Sequence, residues 1–196
     1  YTVTGTGYFV LGSGQYPGPA GVLGNSWYVR ELGRSMNCVE DTIASPVGGL
    51  GKARSYRQTN ATAIGDWIKE NDIRSKVFSV GGKDRAAVFL GGKNADLAIY
   101  YDLAGSFMTS DYYTKALPEW LVKYNEQLNF AAYRDSVWSH IAEQEFYAKY
   151  GTADHQEGEV DRFATDEYSP TLPISLKSKT IEEANVYIGN TPWFDK

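Results

Sequence analysis

Two short runs rich in β-branched and aromatic residues, 76–80 and 97–101, flank a glycine pair and a stretch, 84–90, with room only for a brief helix. Such runs read as strands, and Gly81-Gly82 ends the first of them. The order strand, glycine turn, helix, strand is the mark of an α/β fold. It sets Lys83 at the carboxyl end of a strand, where open sheets of this class bind ligands.

The rest of the chain is read around that unit. Residues 4–24 are rich in Gly and Pro and predict a tight backbone, with one apolar stretch, 8–11, forming a short helix or strand that Gly12-Ser13-Gly14 ends. Residues 59–70 predict a helix: Ile64, Trp67 and Ile68 fall at i, i+3 and i+4, Thr59 or Asn60 caps the start, and the apolar stripe packs on a sheet. Residues 45–57 read as loop because Pro46 and several glycines interrupt every periodicity. Residues 117–129 and 134–150 read as two aromatic-rich helices, with Pro118 tolerated in the first turn of the former. Residues 151–178 read as mostly loop and 180–187 as a last short helix, with no internal repeat.

Composition narrows what such a chain does. At 196 residues, 42% hydrophobic and 22% charged, it suits one domain with a well-buried core. A net charge of −5 with scattered Lys and Arg offers no field for a nucleic-acid backbone, so no nucleic-acid partner is expected. No apolar run approaches the roughly 20 residues of a membrane helix, so no membrane partner is expected either. The chain opens at Tyr1 without a charged-then-apolar leader, which is expected to have been cleaved or left out. Cys38 is the single cysteine, expected to be packed rather than reactive.

Three places carry chemistry. In Thr2-Val3-Thr4-Gly5-Thr6-Gly7 a hydroxyl precedes glycines and a helix start, so Thr4 is presented at a positive helix end that favours a phosphate or an alkoxide. A plain Thr/Gly turn has the same sequence. In Lys83-Asp84-Arg85 an extended backbone sends Lys83 and Arg85 to one side, while Asp84 points away or caps the following helix. Arg supplies a planar fork and Lys a point charge, which together suit a phosphoryl group; a solvated turn is the alternative. Asn25, after Gly24, has an amide able to donate to a phosphate oxygen or to serve a turn.

Taken together and in order, these segments resemble the bacterial alkaline phosphatases with a threonine nucleophile, within the alkaline phosphatase superfamily that also holds the type I phosphodiesterase/nucleotide pyrophosphatase-like enzymes. Gly24-Asn25-Ser26-Trp27-Tyr28, Cys38-Val39-Glu40-Asp41, Gly82-Lys83-Asp84-Arg85-Ala86-Ala87, Gly91-Gly92-Lys93-Asn94-Ala95-Asp96 and Pro118-Glu119-Trp120 fall as that family has them. The resemblance covers nearly the whole chain and weakens after about Asn125. It implies a central part of the family's three-layer α/β sandwich: a nucleophile and phosphate-clamp core over 1–103 and a helical or loop cap-like insertion over 104–196. It further implies that Thr4 forms a phospho-threonine intermediate and touches one of two zinc ions, that Asn25 binds a nonbridging phosphate oxygen, and that Lys83 and Arg85 hold the dianionic phosphoryl group. Phosphate monoesters are then the expected substrates, and the periplasm or the exterior the expected compartment.

Other positions depart from the family pattern. Tyr8, Ala20 and Val29 stand near places where the family commonly carries His, His and Asp. His140 and His155 are the only histidines, too few for two zinc sites. Asp154-His155 is read as the loop after the cap helices rather than as the family's metal-binding pair. A noncatalytic phosphate-binding relative that kept the clamp is the alternative to an enzyme.

Overall fold

The computed structural model describes residues 3–102, 104–133, 135–151 and 171–176, with Thr180, Glu183, Asn185, Ile188, Gly189, Thr191 and Phe194. Two compact units divide the chain, Tyr1–Leu128 and Asn129–Lys196.

The first unit is built on the predicted α/β crossover. Strand β4 (Phe78–Gly81) runs parallel to β5 (Leu97–Asp102), and helix α3 (Asp84–Gly91) joins them. Antiparallel β6 (Ser106–Ser110) and the two-residue β3 (Pro46–Val47) complete a four-stranded sheet in the order β3-β6-β5-β4. A separate hairpin pairs β1 (Ser26–Val29) with β2 (Arg34–Asn37).

Every residue of β5 is buried, as a central strand covered on both faces requires. Its alternate side chains divide between two layers. Tyr100 packs with Ala87 of α3 and with Met108, while Leu97 and Ile99 pack with Leu121 of α4 (Glu119–Gln127). Helix, mixed sheet and helix are the three layers that the family resemblance implies.

Helix α1 (Thr4–Ser13) lies against α3, and it starts earlier than residues 8–11 and runs straight through Gly12. Packing overrides the poor helix propensity of its glycines: a Cβ on Gly12 would sit 2.5 Å from the Phe89 carbonyl oxygen. Around this contact the Phe89 ring meets Phe9 and Tyr56 edge-on, at centroid distances of 5.5 and 5.7 Å. Gly14 then ends the helix in the left-handed region, at φ 62°.

Helix α2 (Ile64–Asn71) corrects two expectations. Its N-cap is Ala63, not Thr59 or Asn60, and Ile64, Trp67 and Ile68 are exposed, not packed on a sheet. Asp66 sets the rotation instead. Fully buried, its carboxylate accepts the N–H groups of Ala63, Lys93 and Asn94 at 2.8, 3.1 and 2.7 Å. The buried side of the helix is therefore the one bearing Asp66 and Gly65.

In the second unit the helix expected over 134–150 is broken. Phe130–Tyr133 form a 3₁₀ turn, β7 (Val137–Trp138) pairs antiparallel with β8 (Ile174–Ser175), and only Gln144–Tyr150 form a helix, α5. Val137 and Trp138 find their strand partners at Ser175 and Ile174, far along the chain, which no local periodicity encodes. Thr180 and Glu183 exchange side-chain-to-backbone bonds of 3.0 and 3.2 Å, the capping box of the helix expected there. Asp154 and His155 lie outside the described residues.

Candidate functional site

Extended Val3 (φ −119°, ψ 155°) makes Thr4 the first residue of α1. The opening N–H groups of a helix have no partner within it, and its end carries partial positive charge. One of these groups, Gly5 N–H, donates to Asn25 Oδ1 at 2.6 Å. Gly5 has no room for a side chain, since a Cβ would stand 2.8 Å from Cys38 Sγ and 2.9 Å from the Gly24 carbonyl oxygen. The glycine after Thr4 is thus what lets the helix end close on Asn25. With Oδ1 engaged, Nδ2 is the donor Asn25 has left.

Arg85 reaches the same residue from α3. Its Nε and Nη2 each lie 3.4 Å from the Asn25 carbonyl oxygen, and its side chain is 22% exposed. Cys38 is packed among these groups; burial pushes its thiol up to about 11 although the Arg85 guanidinium pulls the other way, so it stays a neutral packing element. The expectation of an inert, buried cysteine holds.

Lys83 is extended (φ −114°, ψ 136°) and α3 begins at Asp84, so the two basic side chains leave the turn from different backbone states. Both line one cleft of about 360 Å³, together with Lys52, Arg54 and Asp102. It lies at the carboxyl ends of β4 and β5, the place the sequence pattern assigned to Lys83. Lys83 itself is exposed. Asp102 is not free for chemistry there, because its Oδ2 accepts the N–H groups of Leu50 and Gly51 at 2.8 and 3.1 Å. Of the four residues singled out, Asn25 and Arg85 touch directly, Thr4 adjoins them through Gly5, and Lys83 shares the cleft of Arg85.

Asp84 does not cap α3 but is its first residue, after the N-cap Lys83. Its Oδ1 accepts the Arg85 N–H at 2.8 Å, and its Oδ2 accepts Asn37 Nδ2 at 3.0 Å and Arg54 Nε at 2.8 Å. Arg54 in turn lies 3.6 Å from Glu40, whose carboxylate also takes Arg34 at 2.7 Å and Lys52 at 3.2 Å. Sequence reading missed Asn37, Glu40 and Arg54. Glu40 lies in one of the blocks that carry the resemblance, but nothing local to any of the three marks a partner at the turn, and only the fold brings them there.

The zinc expectation meets a narrow donor set. Among the described residues no group of three or more His, Cys, Asp or Glu side chains converges on a point. A zinc ion takes four ligands, and Thr4 alone supplies one hydroxyl, so these residues do not make a zinc site.

No protein-family model matches the chain. It is similar to alkaline phosphatase PafA of Elizabethkingia meningoseptica, 32% identical over 98% of this chain and 36% of PafA. It is also similar to alkaline phosphatase PhoV of Synechococcus elongatus, 34% identical over 78% of this chain and 28% of PhoV. Among solved structures, a PafA variant with a threonine changed to serine and an asparagine, a lysine and an arginine changed to alanine superposes with a TM-score of 0.81; it is 28% identical over 97% of this chain and 37% of the variant. The chain belongs to the alkaline phosphatase superfamily, and it spans about a third of the length of the relatives it matches.

Proposed function

We propose that this chain carries the nucleophile and the phosphate clamp of a phosphomonoesterase. The observation that carries the reading is the meeting of Asn25 and Arg85 at the N-terminus of the helix whose first residue is Thr4. A phosphoryl group lying there would receive hydrogen bonds from Asn25 Nδ2 and Arg85 and charge from Lys83. Two cations, Lys83 and Arg85, favour a dianionic monoester over a diester, which carries one charge fewer. The PafA variant supports the assignment, since its four substituted residue types are those of Thr4, Asn25, Lys83 and Arg85.

In this reading Thr4 Oγ1 bonds to phosphorus as the bond to the leaving oxygen breaks, giving phospho-threonine, and the hydroxyl proton passes to solvent or to the leaving group. Water then attacks phosphorus, frees Thr4 and releases inorganic phosphate. Among the described residues no cluster supplies the ligands of two zinc ions. A periplasmic or secreted setting follows from the same resemblance. So does the division into a core over 1–103 and a cap-like insertion over 104–196, although β6 joins the central sheet.

The test is p-nitrophenyl phosphate hydrolysis by the intact enzyme that contains this segment, supplied with zinc. Thr4→Ala should lower turnover on the order of a thousandfold or more while inorganic phosphate still binds. Unchanged turnover would remove Thr4 from the reaction. Phosphate binding without turnover or zinc in the parent would point to the noncatalytic alternative.

A further inference from the structure

A third basic residue of the cleft that Lys83 and Arg85 line is Arg54, whose Nε is engaged by Asp84 at 2.8 Å. Asp84 is placed awkwardly for a phosphate site. Its side chain is 15% exposed, and its Oδ1 lies 3.6 Å from Arg85 Nη1, within reach of an ion pair. A carboxylate so close to the clamp competes with the phosphoryl group for the guanidinium, and a mostly buried charge takes whatever cation is nearest. Arg54 and Asn37 occupy the other oxygen, Oδ2, at hydrogen-bond distance. Glu40 holds the far side of Arg54 at 3.6 Å and is itself fixed by Arg34 and Lys52.

Resting on the proposed phosphate clamp, we infer that Arg54 is a positioning residue that neutralises Asp84 and so keeps Arg85 available to phosphate. Arg54 acts through Asp84 and touches no reacting atom. Without it, Arg85 is the cation nearest to Asp84 and swings to it, and the clamp loses its fork while the fold remains.

The experiment measures inorganic phosphate affinity by isothermal titration on this chain, beside the Arg85 side-chain Nε–H signal by NMR. Arg54→Gln should weaken phosphate binding roughly tenfold and shift the Arg85 signal even without phosphate. The double variant Arg54→Gln/Asp84→Asn should recover most of the lost affinity, because no carboxylate then captures Arg85. A purely structural role predicts the opposite, a double variant weaker than either single one, and that result overturns the inference. Parent-like affinity in Arg54→Gln overturns it as well. Should Arg54→Gln not fold, Arg54→Lys carries the same comparison, with a smaller loss and the same recovery. A parent that fails to bind phosphate would defeat the clamp and the inference's claim on phosphate, whereas an Arg85 signal unmoved in Arg54→Gln would defeat the coupling itself, whether or not phosphate binds.

Discussion

Gly5 shows how one residue's absence of a side chain shapes the site. Its N–H meets Asn25 at 2.6 Å only because nothing fills the space toward Cys38 and Gly24. Gly5→Ala should cost about 1–3 kcal/mol of stability by urea unfolding, as overpacking does, and should weaken phosphate binding by moving Asn25 off the helix end. At the same scale, Lys83→Ala and Arg85→Ala should each weaken inorganic phosphate by roughly 10- to 100-fold in the same titration, with the larger loss at the forked Arg85. The types and order of Thr4, Asn25, Lys83 and Arg85 could be read along the chain. Arg54 could not, since an arginine 30 residues before Asp84 in a loop carries no local mark of its partner.

Among the elements, α2 is one where pattern and structure part. Its stripe of Ile64, Trp67 and Ile68 obeys helical spacing, yet these three side chains face outward. The buried Asp66 carboxylate outweighs the stripe because three amide donors would otherwise be stranded in the interior. Asp66→Ala should therefore cost at least about 2 kcal/mol by urea unfolding, whereas Trp67→Ala should cost much less. Between α1 and α3 the opposite holds. Phe89 meets two rings in a closed core, and Phe89→Ala should destabilise by roughly 3–5 kcal/mol in the same assay. The crossover around β4, α3 and β5 was legible because strand, turn and helix each carry a local signal. The β7–β8 pair was not, because its two halves are far apart in sequence.

For the molecule as a whole, acid stability follows from its hydrogen-bonded carboxylates, buried Asp41 and half-buried Asp96. Burial pushes Asp41 up, but hydrogen bonds from Ser55, from the Ala44 and Ile43 amides and from Arg57 outweigh it and hold the group at about 2. Asp96 is likewise held at about 2 against burial, by Lys69, the Val77 amide and Lys76. An unfolded Asp titrates near pH 3.9, so below about pH 4 the unfolded chain binds more protons than the folded one. The stabilisation is complete above that value and is lost as pH falls through about 2, at about 2 kcal/mol for Asp41. Urea midpoints should drop between pH 5 and pH 2.5 (roughly the window these two groups span), and Asp41→Asn should flatten that drop. Sequence by itself determined the α/β class, the placement of Lys83 after a strand and the residue types of the proposed clamp, because these rest on periodicity, glycine punctuation and order along the chain. The tertiary structure alone decided which carboxylates are neutralised by which cations, which face of α2 is buried and how closely α1 approaches Asn25. Those outcomes depend on distances across space between segments that share no local pattern.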